Sequence, residues 1–206
     1  MPRKWSNKIL KEIAPIFNND VVNISGWEDK DKEGGFYKDY FINASSYTIT
    51  NYSGTRGKTG IKNEIILDLS ADLDEKMINS YDVCFNHTTL EHIYEVKKAF
   101  STICRISRDI VIIIVPFLQP NHEMGTIKDY WRFTPSSLNK LYEEEGMEVV
   151  YKNANNHRNS GIYLFYIGSK QPEKWKDSFE SINIDEDLGY WIGQSFFRKL
   201  KRKLKI

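Results

Sequence analysis

Cysteine is scarce: only Cys84 and Cys104 occur in 206 residues, one in an apolar strand-like run and one on a helix-like run. Their separation is no metal-ligand spacing, so reduced structural thiols in a cytoplasm are expected, and no metal site. Long apolar runs are absent as well. The first twenty residues have no extended apolar core followed by a small-residue cleavage site, so neither a signal peptide nor a membrane span is expected, and nothing later is apolar for long enough to cross a bilayer. Neither sign of charge dominates. With 29 basic and 28 acidic residues the net charge is +1, which gives no global field for nucleic acid. No G-x-G-x-x-G follows the first strand-like run, which argues against a nicotinamide enzyme, and no internal repeat is visible.

The length suits one domain with a sizeable core plus tails. Trp5, Ile9, Ile13 and Phe17 recur every fourth residue and predict an N-terminal helix over 1–19, bent or ended near Pro15 and packed on a sheet edge. Strands are predicted at 20–25, 46–51, 64–69, 81–86, 110–115, 148–151 and 162–168, with a Gly- and Lys-rich loop at 52–62. The six aliphatics of 110–115 suit a central parallel strand covered on both faces. Helices are predicted near 35–42, over 90–107, and over 135–145, the last with Thr134 as cap, Pro135 as first residue and Gly146 as stop. Strands alternating with helices imply a three-layer α/β sandwich spanning 20–170, followed by a linker at 171–188 and a tail at 189–206.

The densest chemistry lies at 121–135, NHEMGTIKDYWRFTP, in the loop leaving the strand 109–117, DIVIIIVPF. Open α/β sheets place their ligands at such loops. Upstream, 81–92 reads YDVCFNHTTLEH, a strand that ends in polar residues and then starts a helix. In this order the segments resemble the second half of class I S-adenosylmethionine-dependent methyltransferases, with a strand "fDvv", an "LEH" helix start, a strand ending "vPf", and "DYWRFTP". The resemblance spans roughly 20–170 and is strong in the second half and weak in the first.

What the resemblance implies is a Rossmann-like, mostly parallel sheet with an antiparallel last strand, and S-adenosylmethionine as cofactor. The family's glycine-rich loop corresponds to 23–28, NISGWE, which puts Ser25 and Gly26 against the cofactor. Here the loop is degenerate, with one glycine and then the insertion DKDKE before Gly34 and Gly35. Asn51 stands where the family offers an acid to the ribose hydroxyls. Asp68 either flanks the adenine or caps the following turn. Asn86, with His87 and Thr88, faces the donor methyl, and His87 is either a general base or a hydrogen-bonded structural group. Glu91 is expected to stabilise the first turn of its helix, and the role of His92 is open.

At 121–135, His122 or Asp129 accepts a proton while Tyr130 and Trp131 offer aromatic faces to a sugar or a sulfonium, with Arg132 also at the substrate. Alternatively Arg132 and Asp129 pair internally and brace the loop, with Trp131 buried beneath it. The last eighteen residues, 189–206, carry six basic side chains and no acid; subtracting those six from +1 leaves −5 on the rest. Aromatics interleave with them, as in a helix lying on an anionic membrane surface. The resulting expectation is a cytoplasmic methyltransferase with a small-molecule or carbohydrate acceptor, in surface-polysaccharide biosynthesis, peripheral on the inner face of the membrane and without a nucleic-acid partner. The rival is a non-catalytic domain of the same fold that binds a partner or a membrane.

Overall fold

The computed structural model describes residues 2–53, 60, 64–123, 125–155, 161–179 and 204. The tail at 189–206, apart from Leu204, lies outside the described residues, as do 180–188 and most of the 52–62 loop. Among the described residues seven strands form one sheet: β1 (Asp20–Ile24), β2 (Ser46–Asn51), β3 (Glu64–Ile66), β4 (Tyr81–His87), β5 (Ser107–Leu118), β6 (Glu148–Ala154) and β7 (Ile162–Ser169). Their order is β3-β2-β1-β4-β5-β7-β6. Strands β1 to β5 pair in parallel, whereas β7 runs antiparallel to both β5 and β6. The sequence therefore foretold the fold class.

Alternation along β5 sends Val111, Ile113 and Val115 to one face and Ile110, Ile112 and Ile114 to the other, all fully buried. Helices α2 (Val96–Ile106) and α3 (Pro135–Glu144) cover the first face. A reciprocal cap between Thr134 and Ser137 starts α3, and Gly146, at φ +66°, follows its end. A side chain on Gly168 of β7 would put a Cβ 2.3 Å from Cδ1 of the fully buried Tyr142, so only glycine lets α3 seat there.

The other face is covered by α1 (Pro2–Ile13), which lies over β7 and places Leu10 in a core with Val21, Phe85 and Phe165. Packing over the face corrects the expected position at a sheet edge. The helix predicted near 35–42 is only a single 3-10 turn, Tyr37–Asp39. Its residues enter the same core as α1, which takes the area a longer helix would need, and the buried Asp29 carboxylate and carbonyl hold the Lys38 and Tyr37 amides. The stretch 171–179, expected to begin a linker, packs on the domain: the Trp175 ring lies 5.4 Å from that of Phe17 and its Nε1 donates to Asp109 (2.9 Å).

Continuous helix over 90–107 is also not found. The LEH segment forms a separate 3-10 turn, Leu90–His92, and α2 starts at Val96. The loop after β5 takes the carbonyls that a continuous helix would use. Glu91 O accepts from the amides of Tyr130 (2.8 Å) and Trp131 (3.2 Å), and Ile93 O from Trp131 Nε1 (2.9 Å). Loop and turn are thereby fixed to each other at the carboxyl ends of β4 and β5.

Candidate active site at the carboxyl edge

After β1 the chain moves outward to β2 and β3 and then returns to β4 on the opposite side, which makes the β1/β4 gap a topological switch point. Beyond β1 the backbone turns through Ser25 (φ 58°), Gly26 and Trp27 (φ 49°). Ser25 and Gly26 amides donate to Thr50 Oγ1 and O, both at 3.1 Å. A Cβ on Gly26 would lie 2.6 Å from Asn23 Nδ2 and 3.0 Å from Ile49 Cγ2, so the close approach requires glycine.

Asn51 Oδ1 accepts from Trp27 N (2.6 Å), and its Nδ2 donates to Trp27 O (3.0 Å) and to Glu64 Oε1 (2.6 Å). Glu64 thus brings a carboxylate to the place where Asn51 offers none. Sequence reasoning missed it because Glu64 opens β3 and looks like an ordinary strand end. Asp68 is exposed and accepts from Ser70 N (2.8 Å), capping the turn that follows. Asn86 is fully buried: its Nδ2 donates to Ile24 O (2.8 Å), and its Oδ1 is enclosed without a partner at the β1/β4 gap.

The DKDKE insertion folds against the α1 face. Asp29 and Asp31 are both buried. Asp29 accepts from Asn23 Nδ2 (2.8 Å), the Tyr47 hydroxyl (2.7 Å) and the Lys38 amide (2.9 Å); burial is the main influence on its carboxyl and raises the pKa. Asp31 accepts from the Tyr40 hydroxyl (2.6 Å), while its carbonyl takes a bond from Asn7 of α1 (3.0 Å).

The start of α1 reaches the same edge, a contact with no local signal in the sequence. Arg3 donates to Thr88 Oγ1 (2.7 Å) and to the Tyr37 hydroxyl (3.0 Å). His87 is buried, with Nε2 2.9 Å from Ser6 Oγ and Nδ1 3.2 Å from Thr88 Oγ1. Burial, followed by the nearby Arg3 charge, holds its pKa well below the usual imidazole range, so the ring is neutral.

Across β4 and β5 the loop constellation assembles as one unit. Arg132 forks onto Asp129, Nη1 to Oδ1 and Nη2 to Oδ2, both at 2.5 Å, and also donates to the carbonyls of Gln119 (3.1 Å) and Pro120 (3.2 Å). The guanidinium bonds lower the pKa of the fully enclosed Asp129 carboxyl to about 2. The internal pair is therefore present, but Trp131 does not lie beneath it: the residue is 37% exposed and its ring sits 6.2 Å from that of Tyr94, which in turn meets Tyr130 edge-on at 5.4 Å. Tyr94 is a second residue that sequence reasoning missed.

Behind this rim, Glu91 is fully buried and neither carboxylate oxygen has an aligned hydrogen-bond partner. Burial pushes its pKa up to about 8. His92 Nδ1 bonds Lys128 O (2.6 Å), and its ring lies 5.0 Å from that of His122, whose Nδ1 is 3.0 Å from Asp129 Oδ2 but out of line for a hydrogen bond. The structure thus gathers Ser25, Gly26, Asn51 and Asn86 around the switch point and His122, Asp129, Tyr130, Trp131 and Arg132 beyond β4 and β5. His87 lies beneath α1, and Asp68 stands apart in its exposed turn.

No protein-family model and no curated protein matches the sequence. Solved structures do match the fold. A Burkholderia thailandensis 1,6-didemethyltoxoflavin-N1-methyltransferase, solved with 1,6-didemethyltoxoflavin and S-adenosylhomocysteine, superposes with a TM-score of 0.55 at 16% identity, covering 81% of this chain and 80% of that one. The magnesium protoporphyrin IX methyltransferase of Synechocystis, solved with S-adenosylmethionine, gives 0.55 at 9% identity over 82% and 79% of the two chains. At such identities the likeness establishes a common fold, that of the S-adenosylmethionine-dependent methyltransferases.

Proposed function

We propose that this chain is an S-adenosylmethionine-dependent methyltransferase acting on a small-molecule acceptor, with a sugar of a surface-polysaccharide precursor as the acceptor class. The observation that carries the reading is the enclosed, unpaired Asn86 Oδ1 at the β1/β4 switch point: a buried acceptor is ordinarily satisfied, and a polar ligand that displaces the neighbouring side chains would supply the missing donor. The cofactor supplies a methyl group already activated on a sulfonium. What remains for the protein is to hold donor and acceptor in line, exclude water and take up a proton.

Ser25 and Gly26, the latter packed without a side chain against Asn23 and Ile49, are assigned to the turn beside the cofactor, and Asn51 with Glu64 to the polar pair suited to ribose hydroxyls. Asp68, beyond β3, is assigned to the adenine end. His87, neutral and held on both ring nitrogens, positions α1 against the edge. Proton uptake from the acceptor is assigned to His122, whose side chain is 36% exposed, with Asp129 and Arg132 fixing its loop. Asp129, paired and held at about 2, is a weak base at neutral pH. Tyr130 and Trp131, together with Tyr94, supply the aromatic faces for the acceptor.

Calorimetric titration with S-adenosylhomocysteine tests this reading. One saturable equivalent is expected; absence of binding at millimolar ligand overturns it in favour of the non-catalytic domain. No helix among the described residues is long and apolar enough to cross a membrane. Membrane association is instead proposed to reside in the basic, aromatic segment 189–206. Co-sedimentation with anionic liposomes is expected for the full chain and not for one ending at 188; equal binding by both removes the proposal.

A further inference from the structure

Glu91, His92 and His122 each offer one potential ligand atom, and those atoms all lie within 4.8 Å of one another. Two come from the turn after β4 and one from the loop after β5, so the grouping depends on the clasp between them. The sequence reading, which expected no metal, did not anticipate it.

Three features distinguish this group from a chance meeting of polar side chains. Glu91 is 0% exposed and both of its oxygens lack an aligned hydrogen-bond partner, although buried carboxylates are ordinarily satisfied. His92 is fixed in one tautomer: a carbonyl can only accept, so the 2.6 Å contact with Lys128 O places the proton on Nδ1 and leaves the Nε2 lone pair free, 3.9 Å from Glu91 Oε1. Histidines that ligate metals are oriented in this way, the other ring nitrogen being held by a carbonyl or a carboxylate. His122 has a carboxylate, Asp129, beside its ring, and Arg132 fixes that carboxylate in turn. An ordinary internal network would close Glu91 onto a donor, and here none is aligned with it.

We propose that Glu91, His92 and His122 form a binding site for one divalent transition-metal ion of the zinc, cobalt or iron class. Two imidazoles and one carboxylate suit those ions better than magnesium or calcium, which prefer oxygen ligands throughout. Bonds of ~2.0–2.2 Å place ligand atoms on a shared ion ~3–3.5 Å apart, so the group closes by ~1–1.5 Å on loading. The side chains of His92 (21% exposed) and His122 (36%) open the ion to solvent on the side of the aromatic rim, leaving positions for an exogenous oxygen. Metal binding stands apart from the methyl-transfer reading. Its use rests on that reading: with the ion bound the His122 lone pair is committed to the metal, and an acceptor hydroxyl on the ion would have its pKa lowered and lose its proton to water in place of His122.

The test uses the tag-free full chain, stripped with chelator and dialysed, with neither S-adenosylmethionine nor acceptor present, so that a failed methyl-transfer reading leaves the result interpretable. Titration with Co2+ is expected to give visible d–d absorption saturating at one equivalent, and Zn2+ to displace it. Glu91→Gln, which keeps the side-chain shape, and His122→Ala should each weaken Co2+ binding at least tenfold. Glu144→Gln, at an exposed pair with Lys97, should leave it unchanged. Circular dichroism confirms folding, and should His122→Ala fail to fold, the Glu91→Gln result decides. Absence of Co2+ and Zn2+ binding by the wild type, or undiminished affinity in Glu91→Gln, overturns the site.

Discussion

Replacing Arg132 with methionine is expected to lower the unfolding free energy by ~3 kcal/mol at pH 7, because it strands a fully enclosed carboxylate. Asp129 has no exposed side-chain surface and both of its oxygens are held by the Arg132 fork, which also ties down the carbonyls of Gln119 and Pro120. The loss sits at the lower end of the range for broken buried pairs, since Arg132 itself is 28% exposed. Arg132→Lys keeps the charge but loses the fork and should cost about half as much.

The pH dependence has a definite sign. The folded pKa of Asp129, about 2, lies below its ordinary 3.8, so the stabilisation is complete above the unfolded value and is lost as pH falls through the folded one. The gap between wild type and Arg132→Met should therefore be full at pH 7 and shrink as pH drops from about 4 to about 2. Denaturant titrations across that range measure it. A gap below ~1 kcal/mol at pH 7, as for an exposed pair, would show that the fork does not brace the loop.

Asp29→Ala is the second large effect. The substitution strands Asn23 Nδ2, the Tyr47 hydroxyl and the Lys38 amide, and puts alanine at φ 59°, where an aspartate is better tolerated. Each stranded donor costs ~1–3 kcal/mol before relaxation, so a net loss of ~3 kcal/mol is expected by chemical denaturation. Because Asp29 N also bonds Gly26 O (2.8 Å), the close-approach turn should loosen with it, weakening S-adenosylhomocysteine binding about tenfold by calorimetry, or ~1.4 kcal/mol. A variant of unchanged affinity would mean that the insertion supports the fold and not the cofactor seat.

Asp29 also shows where local sequence patterns stop being informative. The six aliphatics at 110–115 and the Thr134, Pro135 and Gly146 signals of α3 work through near neighbours, and the place of β5 and the ends of α3 follow from them. Asp29, within DKDKE, has the composition of a solvated charged loop, and nothing nearby reveals that its partners lie at Tyr47 and Asn23. The LEH segment has sound helical spacing, yet the carbonyls of Glu91 and Ile93 are claimed by residues 38 to 40 positions later, which ends the helix early. The Glu91, His92 and His122 grouping was hidden for the same reason. In sequence, Glu91 has the position of a helix-start acid, and only the fold of the β5 loop brings His122 to it.

The contact of α1 with β7 bears on the order in which the protein assembles. Residues 2–13 leave the ribosome long before the strand they rest on, Ile162–Ser169. The start of that helix carries Arg3 and Ser6 to the sheet edge, so this edge cannot be finished before that strand has been made. Nascent chains arrested before residue 162 should leave α1 open to proteolysis, and this amphipathic helix would remain open to chaperones until β7 emerges.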